Sequence, residues 1–176
     1  MPAMRTPPRI MFLLLLPALL AGCATQPPQS TAGATFIVIR HAEKVLGDSK
    51  DPPLTATGQA RAEALVASLS REPLEAAYAT AFRRTQQTAT PSARSHQLPI
   101  ITYDAKLPAT QFAEQLKQAH TTGTVLVVGH SNTVPDIAAA LCVCTVPRMD
   151  DTEYDRRMII HVAPNGAPRL TITRDP

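Results

Sequence analysis

Short apolar runs alternate with amphipathic stretches along the chain from residue 35 onward. Residues 35–39 and 124–128 are rich in β-branched side chains and almost wholly apolar, which is typical of strands buried on both faces of a sheet. After the first run, Thr55 is placed to cap a helix whose apolar positions recur at i, i+3, i+4 and i+7. Those positions are Ala62, Leu65, Val66 and Leu69.

The rest of the chain continues this alternation. Asn165 and Gly166 stand between two strand-like runs and indicate a β-hairpin. Strands that alternate with helices predict an α/β fold, here a three-layer sandwich with a largely parallel central sheet, helices on both faces and a C-terminal hairpin. The remaining predicted strands are 76–79, 98–102, 158–162 and 170–173, and the remaining helices are 82–92, 108–120 and one that ends near Leu141.

The first 22 residues have the pattern of an export signal. Arg5 and Arg9 give a positive start, residues 10–21 are apolar, and small residues precede Cys23. A buried helix or an uncleaved membrane anchor is the alternative, but the apolar run is shorter than the roughly 20 residues that a spanning helix needs. We therefore predict a signal peptide over residues 1–22.

The sequence Leu20-Ala-Gly-Cys23 resembles the lipobox of bacterial lipoproteins. That resemblance implies a lipid anchor on Cys23, which would hold the chain on the periplasmic face of a bacterial membrane. Ala24 in place of an aspartate favours the outer membrane over the inner one. Residues 23–34 are small, polar and proline-bearing, so we predict a flexible tether there and a single folded domain over residues 35–176.

Charge and composition narrow the functions further. Hydrophobic residues make up 44% of the chain and aromatic residues 4%, which fits a core of small aliphatic side chains. Without Arg5 and Arg9 of the signal, the 17 Lys and Arg residues fall to 15, against 14 Asp and Glu. The domain is then nearly neutral and has no basic stripe with interleaved aromatics, so we expect no nucleic-acid partner.

Two further cysteines, Cys142 and Cys144, stand two residues apart. A disulfide between them needs tight local geometry, because in an extended strand their side chains share a face at nearly the limiting separation. No further ligand follows at a recognisable metal-binding spacing, and we expect no metal here. We therefore interpret the pair as two small buried apolar side chains.

Polar residues of catalytic type follow both of the apolar strands. Arg40 and His41 come directly after residues 35–39, and His130 follows residues 124–128 after one glycine. Ligands of open parallel sheets sit beyond the carboxyl ends of the strands, where such loops converge. A lone histidine after a strand is usually structural, whereas two at one edge, one of them beside an arginine, favour a catalytic site.

Ordered motifs carry a family resemblance. They are Arg-His-Ala-Glu-Lys at 40–44, Leu-Thr-Ala-Thr-Gly at 54–58, the strand-turn-helix sequence at 78–89, the segment around His130 at 127–135, and Glu-Tyr-Asp at 153–155. Together they resemble the histidine phosphatase superfamily, in the branch that contains the cofactor-dependent phosphoglycerate mutases. The likeness spans residues 36–173, and such an ordered match is far more specific than one short motif.

The resemblance implies a phosphatase that works through a phosphohistidine. His41 would attack phosphorus in line, and its second ring nitrogen would donate to a backbone carbonyl that fixes the tautomer. Arg40 and Arg84 would hold the phosphoryl oxygens, with His130, if protonated, as a third cationic donor. These groups supply the positive charge, so no metal and no cofactor are expected.

Two adjacent arginines compete for one of these roles. The family places its arginine four residues before a Thr-Ala pair, which here is Thr88-Ala89. That spacing selects Arg84 and leaves Arg83 as a solvated neighbour.

The resemblance supplies no obvious acid to protonate the leaving group. Many relatives carry a glutamate shortly after the third strand, where this chain has only Asp104, slightly early. Acid phosphatases place an aspartate directly after the second histidine, where this chain has Ser131. Asp104 is therefore the candidate acid, and Asp136 is interpreted as structural. Glu43 and Lys44 either pair with each other at the rim or orient the pocket.

Two alternative functions stay open. A phosphomutase is the nearer one, but the chain lacks the longer insertions that bind a bisphosphoglycerate. The other is a non-catalytic envelope lipoprotein of the same fold that binds phosphorylated ligands. The short loop at 44–53 predicts an open site, so the expected partner is a phosphorylated small molecule or an envelope phosphoester, such as a sugar phosphate, a lipid-linked phosphate or a phosphorylated peptide.

Overall fold

One mixed six-stranded sheet organises the computed structural model, which describes residues 33–47 and 49–175. The predicted signal peptide, Cys23 and most of the predicted tether lie outside the described residues. In chain order the elements are β1 (Ala34–Arg40), α1 (Ala56–Leu69), β2 (Leu74–Thr80), α2 (Arg83–Ser95), β3 (Ile100–Tyr103), α3 (Ala109–Ala119), β4 (Thr124–Gly129), α4 (Val134–Cys142), β5 (Arg156–Val162) and β6 (Pro168–Arg174).

The strands lie in the order β3-β2-β4-β1-β5-β6. The first four along the chain pair in parallel, and β5 and β6 pair antiparallel at one edge. Successive side chains of a strand point to opposite faces, so Phe36 and Val38 pack on the side of α3 and α4, while Ile37 and Ile39 pack on the side of α1 and α2. The predicted three-layer α/β sandwich is confirmed. Among the described helices, none is long and apolar enough to cross a membrane.

The predicted C-terminal hairpin is present and joins β5 to β6. Gly166 in its turn has a φ of 79°, a conformation that residues with a side chain rarely adopt. The hairpin extends the parallel sheet on the β1 side through the antiparallel β1–β5 pair.

The described part of the chain starts at Gly33, and β1 starts at Ala34, one residue before the predicted domain boundary at residue 35. Gly33 and Ala34 are both buried, and a Cβ atom on Gly33 would lie 1.7 Å from the carbonyl oxygen of Val162. Of the two residues, Ala34 belongs to the sheet and Gly33 packs against the end of β5, although both were predicted to lie in the tether.

Helix α1 starts as its sequence predicts. The Oγ1 of Thr55 accepts a hydrogen bond from the Gly58 N–H at 3.1 Å, which satisfies one of the free donors of the first turn. The apolar face at Ala62, Leu65 and Leu69 is buried against the sheet and the loop after β1, whereas Val66 is half-buried.

The interpretation of Cys142 and Cys144 as two buried apolar side chains is wrong, because the structure joins them in a disulfide. The segment is not an extended strand: α4 ends at Cys142, and Val143 adopts a left-handed conformation with φ 52° and ψ 44°. This turn brings the two Cα atoms to 5.2 Å, within the range for a disulfide. Cys142 is buried and Cys144 is exposed.

We expect Gly58→Ala to destabilise the domain, although alanine is the better helix former. A Cβ atom at this position would lie 2.2 Å from the carbonyl oxygen of Glu43, so the loop after β1 would have to move. Overpacking of this kind costs about 1–3 kcal/mol in the free energy of unfolding, which outweighs the gain of about 1 kcal/mol in helix propensity. Urea unfolding measures the difference. The exposed neighbour change Gln59→Ala is the control, and an increase in stability for Gly58→Ala would contradict this packing.

Candidate active site

The two histidines meet because β1 and β4 are neighbours in the sheet. Arg40 pairs in register with Gly129, and the His41 N–H donates to the Gly129 carbonyl at 2.9 Å. His130 follows Gly129 directly, and the centres of the two imidazole rings are 5.5 Å apart. The predicted convergence of His41 and His130 at one sheet edge is confirmed.

The His41 ring is held in one tautomer. Its Nδ1 lies 2.8 Å from the carbonyl oxygen of Ala42, and a carbonyl only accepts, so Nδ1 carries the proton and Nε2 keeps its lone pair. Burial of the side chain lowers the pKa of His41 to about 3, with Arg40, His130 and Arg84 adding to the effect and the bond to Ala42 opposing it. The imidazole is therefore neutral at neutral pH, and its Nε2 lone pair is not protonated.

Arg40 is buried and fixed by the loop that precedes β5. Its Nη1 donates to the carbonyl oxygens of Asp150, Asp151 and Glu153 at 3.2, 2.8 and 3.0 Å. The ring of Tyr154 lies against its guanidinium, with the central carbon 4.1 Å from the ring centre. The Nε of Arg40 is buried without a hydrogen-bond partner.

Arg84 reaches the same place from the first turn of α2. Its Nη2 lies 3.4 Å from the Nδ1 of His130, and its Nε, like that of Arg40, is buried without a partner. The helix is tied to the loop after His41 through Thr88, whose Oγ1 accepts from the Ala42 N–H at 3.0 Å and donates to the Arg84 carbonyl at 2.7 Å. This contact fixes the position of Arg84 relative to His41.

Arg83 is exposed and takes no part in the pocket through its side chain. Its backbone N–H donates to Asp51 Oδ1 at 2.9 Å, and the same oxygen lies 3.9 Å from Arg84 Nη1. The choice of Arg84 from the spacing to Thr88-Ala89 therefore agrees with the geometry.

A chain of buried hydroxyl groups orients His130. Its Nε2 lies 3.1 Å from Thr80 Oγ1, which lies 2.8 Å from Thr85 Oγ1, and Thr85 donates in turn to the Phe82 carbonyl at 2.7 Å. Because the last acceptor is a carbonyl, the donors run in one direction and place the His130 proton on Nε2. Its Nδ1 is then an acceptor for Arg84.

His130 is neutral in the empty site. Burial, reinforced by Arg84 and Arg40, lowers its pKa to about 4. The predicted role of His130 as a cationic donor therefore requires an anion that raises this pKa again.

A cavity of about 390 Å³ opens above these groups. It contains three cations, Arg40, Arg84 and Lys44, and one carboxylate, Asp151, so it is suited to an anionic ligand. Its further lining comes from Leu46, Ser131, Asn132 and Tyr154.

The structure does not bring Asp104 to this cavity. Asp104 follows β3, an edge strand that lies three positions from β1 in the sheet, roughly 14 Å at the usual strand spacing. Its side chain is exposed and accepts the Lys106 N–H at 2.9 Å. The geometry therefore gives no support to Asp104 as the general acid.

Glu43 and Lys44 do not pair with each other. Glu43 forms a bidentate ion pair with Arg61 of α1, with the shortest contact at 2.7 Å, while Lys44 lines the cavity. Glu43 thus anchors the loop after β1 to α1.

Sequence reasoning missed the roles of three residues that shape the site. Thr80 and Thr85 orient His130, and Tyr154 covers Arg40. Tyr154 belongs to the Glu-Tyr-Asp motif that the sequence analysis noted without assigning it a role, so a signal was present; the two threonines gave none. Within residues 33–47 and 49–175, no group of three or more His, Cys, Asp or Glu side chains is placed to hold a metal ion.

Comparison with protein families gives one match. The sequence model described as "Histidine phosphatase superfamily (branch 1)" matches residues 36–107, a stretch that contains Arg40, His41 and Arg84 but ends before His130. No curated protein sequence matches the chain significantly.

Solved structures share the fold. The protein histidine phosphatase SixA complexed with tungstate has a TM-score of 0.63 and 19% identity, over 80% of this chain and 96% of that one. Bacillus stearothermophilus YhfR has a TM-score of 0.62 and 19% identity, over 81% and 98%. Phosphoserine phosphatase from Entamoeba histolytica, in complex with 3-phosphoglyceric acid, has a TM-score of 0.59 and 16% identity, over 81% and 98%.

We expect sulfate, a dianion at neutral pH, to bind in this cavity more weakly as the pH rises. A bound dianion favours the imidazolium and raises the pKa of His130 above its value of about 4 in the empty site. The affinity for sulfate is then greatest when the pH is below about 4, the pKa of His130 without the anion. Above that pH it falls by up to about tenfold per pH unit, until the pH passes the higher pKa of His130 in the complex.

Calorimetric titration with sulfate between about pH 5 and pH 8 measures this dependence. His130→Gln should flatten the profile, and His41→Gln should leave its slope in place. An unchanged slope in His130→Gln would show that another group takes up the proton.

Proposed function

We propose that this chain is a member of the histidine phosphatase superfamily, whose model matches residues 36–107, and that it hydrolyses phosphomonoesters through a phosphohistidine formed on His41. The observation that carries the proposal is the state of the His41 ring. A neutral imidazole with Nδ1 bonded to the Ala42 carbonyl directs the lone pair of Nε2 into a cavity lined by cations. This is the arrangement that nucleophilic attack on phosphorus requires.

The arginines complete the phosphate site. Arg40 and Arg84 both line the cavity, where their guanidinium groups would pair with the phosphoryl oxygens. Because the two guanidinium groups are held by the loop before β5 and by α2, they are preorganised for the charge that develops during transfer.

We propose that the reaction needs no metal ion. Arg40 and Arg84 carry two permanent positive charges, and His130 gains a third when a phosphate dianion favours its protonation. These charges do the work that a divalent cation does in metal-dependent phosphatases.

The substrate is proposed to be a phosphorylated small molecule or an envelope phosphoester. Two of the solved structures that share the fold are named as phosphatases of phosphorylated amino acids, histidine in a protein and phosphoserine. Lys44 and the exposed Leu46 line this cavity, and the leaving group is proposed to lie beside them.

We also propose that the domain is exported and tethered by a lipid on Cys23. The lipobox-like sequence at 20–23 supports this, and a sheet that begins at Ala34 leaves 10 residues, 24–33, between the anchor and β1. Globomycin-sensitive processing and radiolabelled palmitate incorporation, lost in Cys23→Ser, would test it.

We expect His41→Ala to abolish hydrolysis of p-nitrophenyl phosphate while the domain stays folded, because the variant lacks the nucleophile. Wild type quenched during turnover should carry acid-labile phosphate on His41, detectable by mass spectrometry. Assays with and without a chelator should agree. Wild type that binds phosphate but turns over no ester would instead indicate a non-catalytic binding protein.

The adjacent arginines allow a matched test of the phosphate site. Loss of a charged hydrogen bond to the transferring phosphoryl group costs on the order of 3 kcal/mol, so Arg84→Ala should lower kcat/KM about a hundredfold or more. Arg83→Ala should change it only a few-fold, since that side chain is exposed. Steady-state kinetics on one aryl phosphate compare the two, and a larger loss in Arg83→Ala would contradict the assignment of Arg84.

A further inference from the structure

In-line attack fixes where the leaving group must be. The bond to the leaving oxygen breaks on the side of phosphorus opposite the attacking Nε2 of His41. His41, Arg40 and His130 are buried, at 3%, 5% and 8% exposure, and form the floor of the cavity. The leaving oxygen therefore points to the open side, and the acid that protonates it has to lie at the rim.

The rim is formed by more exposed side chains. Those that line the cavity there are Lys44, Leu46, Ser131, Asn132 and Asp151. Among these, Asp151 is the one carboxyl group.

We propose that Asp151 is the general acid that protonates the leaving oxygen and the general base that activates water for hydrolysis of the phosphoenzyme. This inference rests on the proposed phosphatase function. It assigns the proton transfer to a residue outside the predicted nucleophile His41 and the three predicted phosphate ligands, and it replaces Asp104 as the candidate.

Two contacts hold Asp151 in place. The hydroxyl of Ser131, the residue after His130, donates to Asp151 Oδ1 at 2.9 Å. The backbone carbonyl of Asp151 accepts from Arg40 Nη1 at 2.8 Å. The carboxyl group is thereby tied through its side chain to the β4 loop and through its backbone to an arginine of the phosphate site.

The proton balance closes over the two half-reactions. The Nε2 lone pair of His41 forms the P–N bond as the P–O bond breaks, and the leaving oxygen keeps that electron pair and takes the proton of Asp151. Water then attacks phosphorus and gives a proton back to the Asp151 carboxylate, while the P–N electrons return to Nε2.

The other carboxylates near the site are engaged elsewhere. Asp51 Oδ1 accepts the Arg83 N–H at the start of α2 and lies 3.9 Å from Arg84 Nη1. Glu43 is held by Arg61, and Glu153 by Arg156 and Arg174.

The test is the dependence of rate on the leaving group. A departing p-nitrophenolate needs little protonation, whereas an alkoxide needs a full proton. Asp151→Asn should therefore lower kcat/KM about a hundredfold or more for an alkyl phosphate, but only a few-fold for p-nitrophenyl phosphate. Phenyl phosphate should fall between them. Asp104→Asn and Asp51→Asn are matched controls and should leave the ratio of the two rates unchanged.

Each outcome decides the matter. Equal losses on all three esters in Asp151→Asn would overturn the assignment, because they indicate a structural role, and a changed ratio in Asp104→Asn would transfer the role to that residue. Ser131→Ala should shift the ratio in the same direction by a smaller amount, since it frees the carboxyl group without removing it. Wild type that hydrolyses none of the phosphate esters would refute the proposed function itself. If wild type is active and Asp151→Asn keeps the wild-type ratio of kcat/KM between the alkyl phosphate and p-nitrophenyl phosphate, only this inference is refuted.

Discussion

The parallel pairing of β1 with β4 is the constraint on which the site depends. It sets Arg40 opposite Gly129, and the bond from the His41 N–H to the Gly129 carbonyl continues the ladder one residue beyond the strand. Both histidines then leave the sheet at the same level, with ring centres 5.5 Å apart. The neighbouring strand β2 brings α2, and with it Arg84, to the same edge. A shift of the β1–β4 register by one residue would turn the side chains of β1 to the other face and separate the two histidines.

Arg40 connects this edge to the end of the chain. Its Nη1 contacts three backbone carbonyls of the loop before β5, and its guanidinium lies under Tyr154. The loop folds over the site because its carbonyls satisfy a buried cation that would otherwise lack partners. Asp151 and Tyr154 reach the cavity through the same contacts. The loop that binds Arg40 therefore also supplies Asp151 to the rim.

Local signals were sufficient for much of this arrangement. Apolar runs identified the strands, Thr55 identified the start of α1, and the spacing to Thr88-Ala89 selected Arg84 because that threonine anchors α2 to the loop after His41. The general acid candidate and the disulfide could not be predicted from the sequence, because they depend on backbone geometry and on contacts between distant segments. Asp104 follows an edge strand, and Asp151 is brought in by Arg40, 111 positions earlier in the chain. The disulfide depends on the left-handed Val143, a conformation that a valine does not signal.

The electrostatics of the cavity explain why its histidines divide their roles. Both rings are buried beside the same two arginines, and both have a lowered pKa, so neither adds positive charge to the empty site. The Ala42 carbonyl keeps the proton of His41 on Nδ1, away from the ligand, whereas the Thr80–Thr85 chain keeps the proton of His130 on Nε2 and turns Nδ1 toward Arg84. A bound dianion can therefore favour uptake of a proton from solvent at Nδ1 of His130, which then becomes a donor, while His41 presents a lone pair. The two similar side chains are thus suited to the different proposed roles of nucleophile and cationic donor, because their ring nitrogens have different partners.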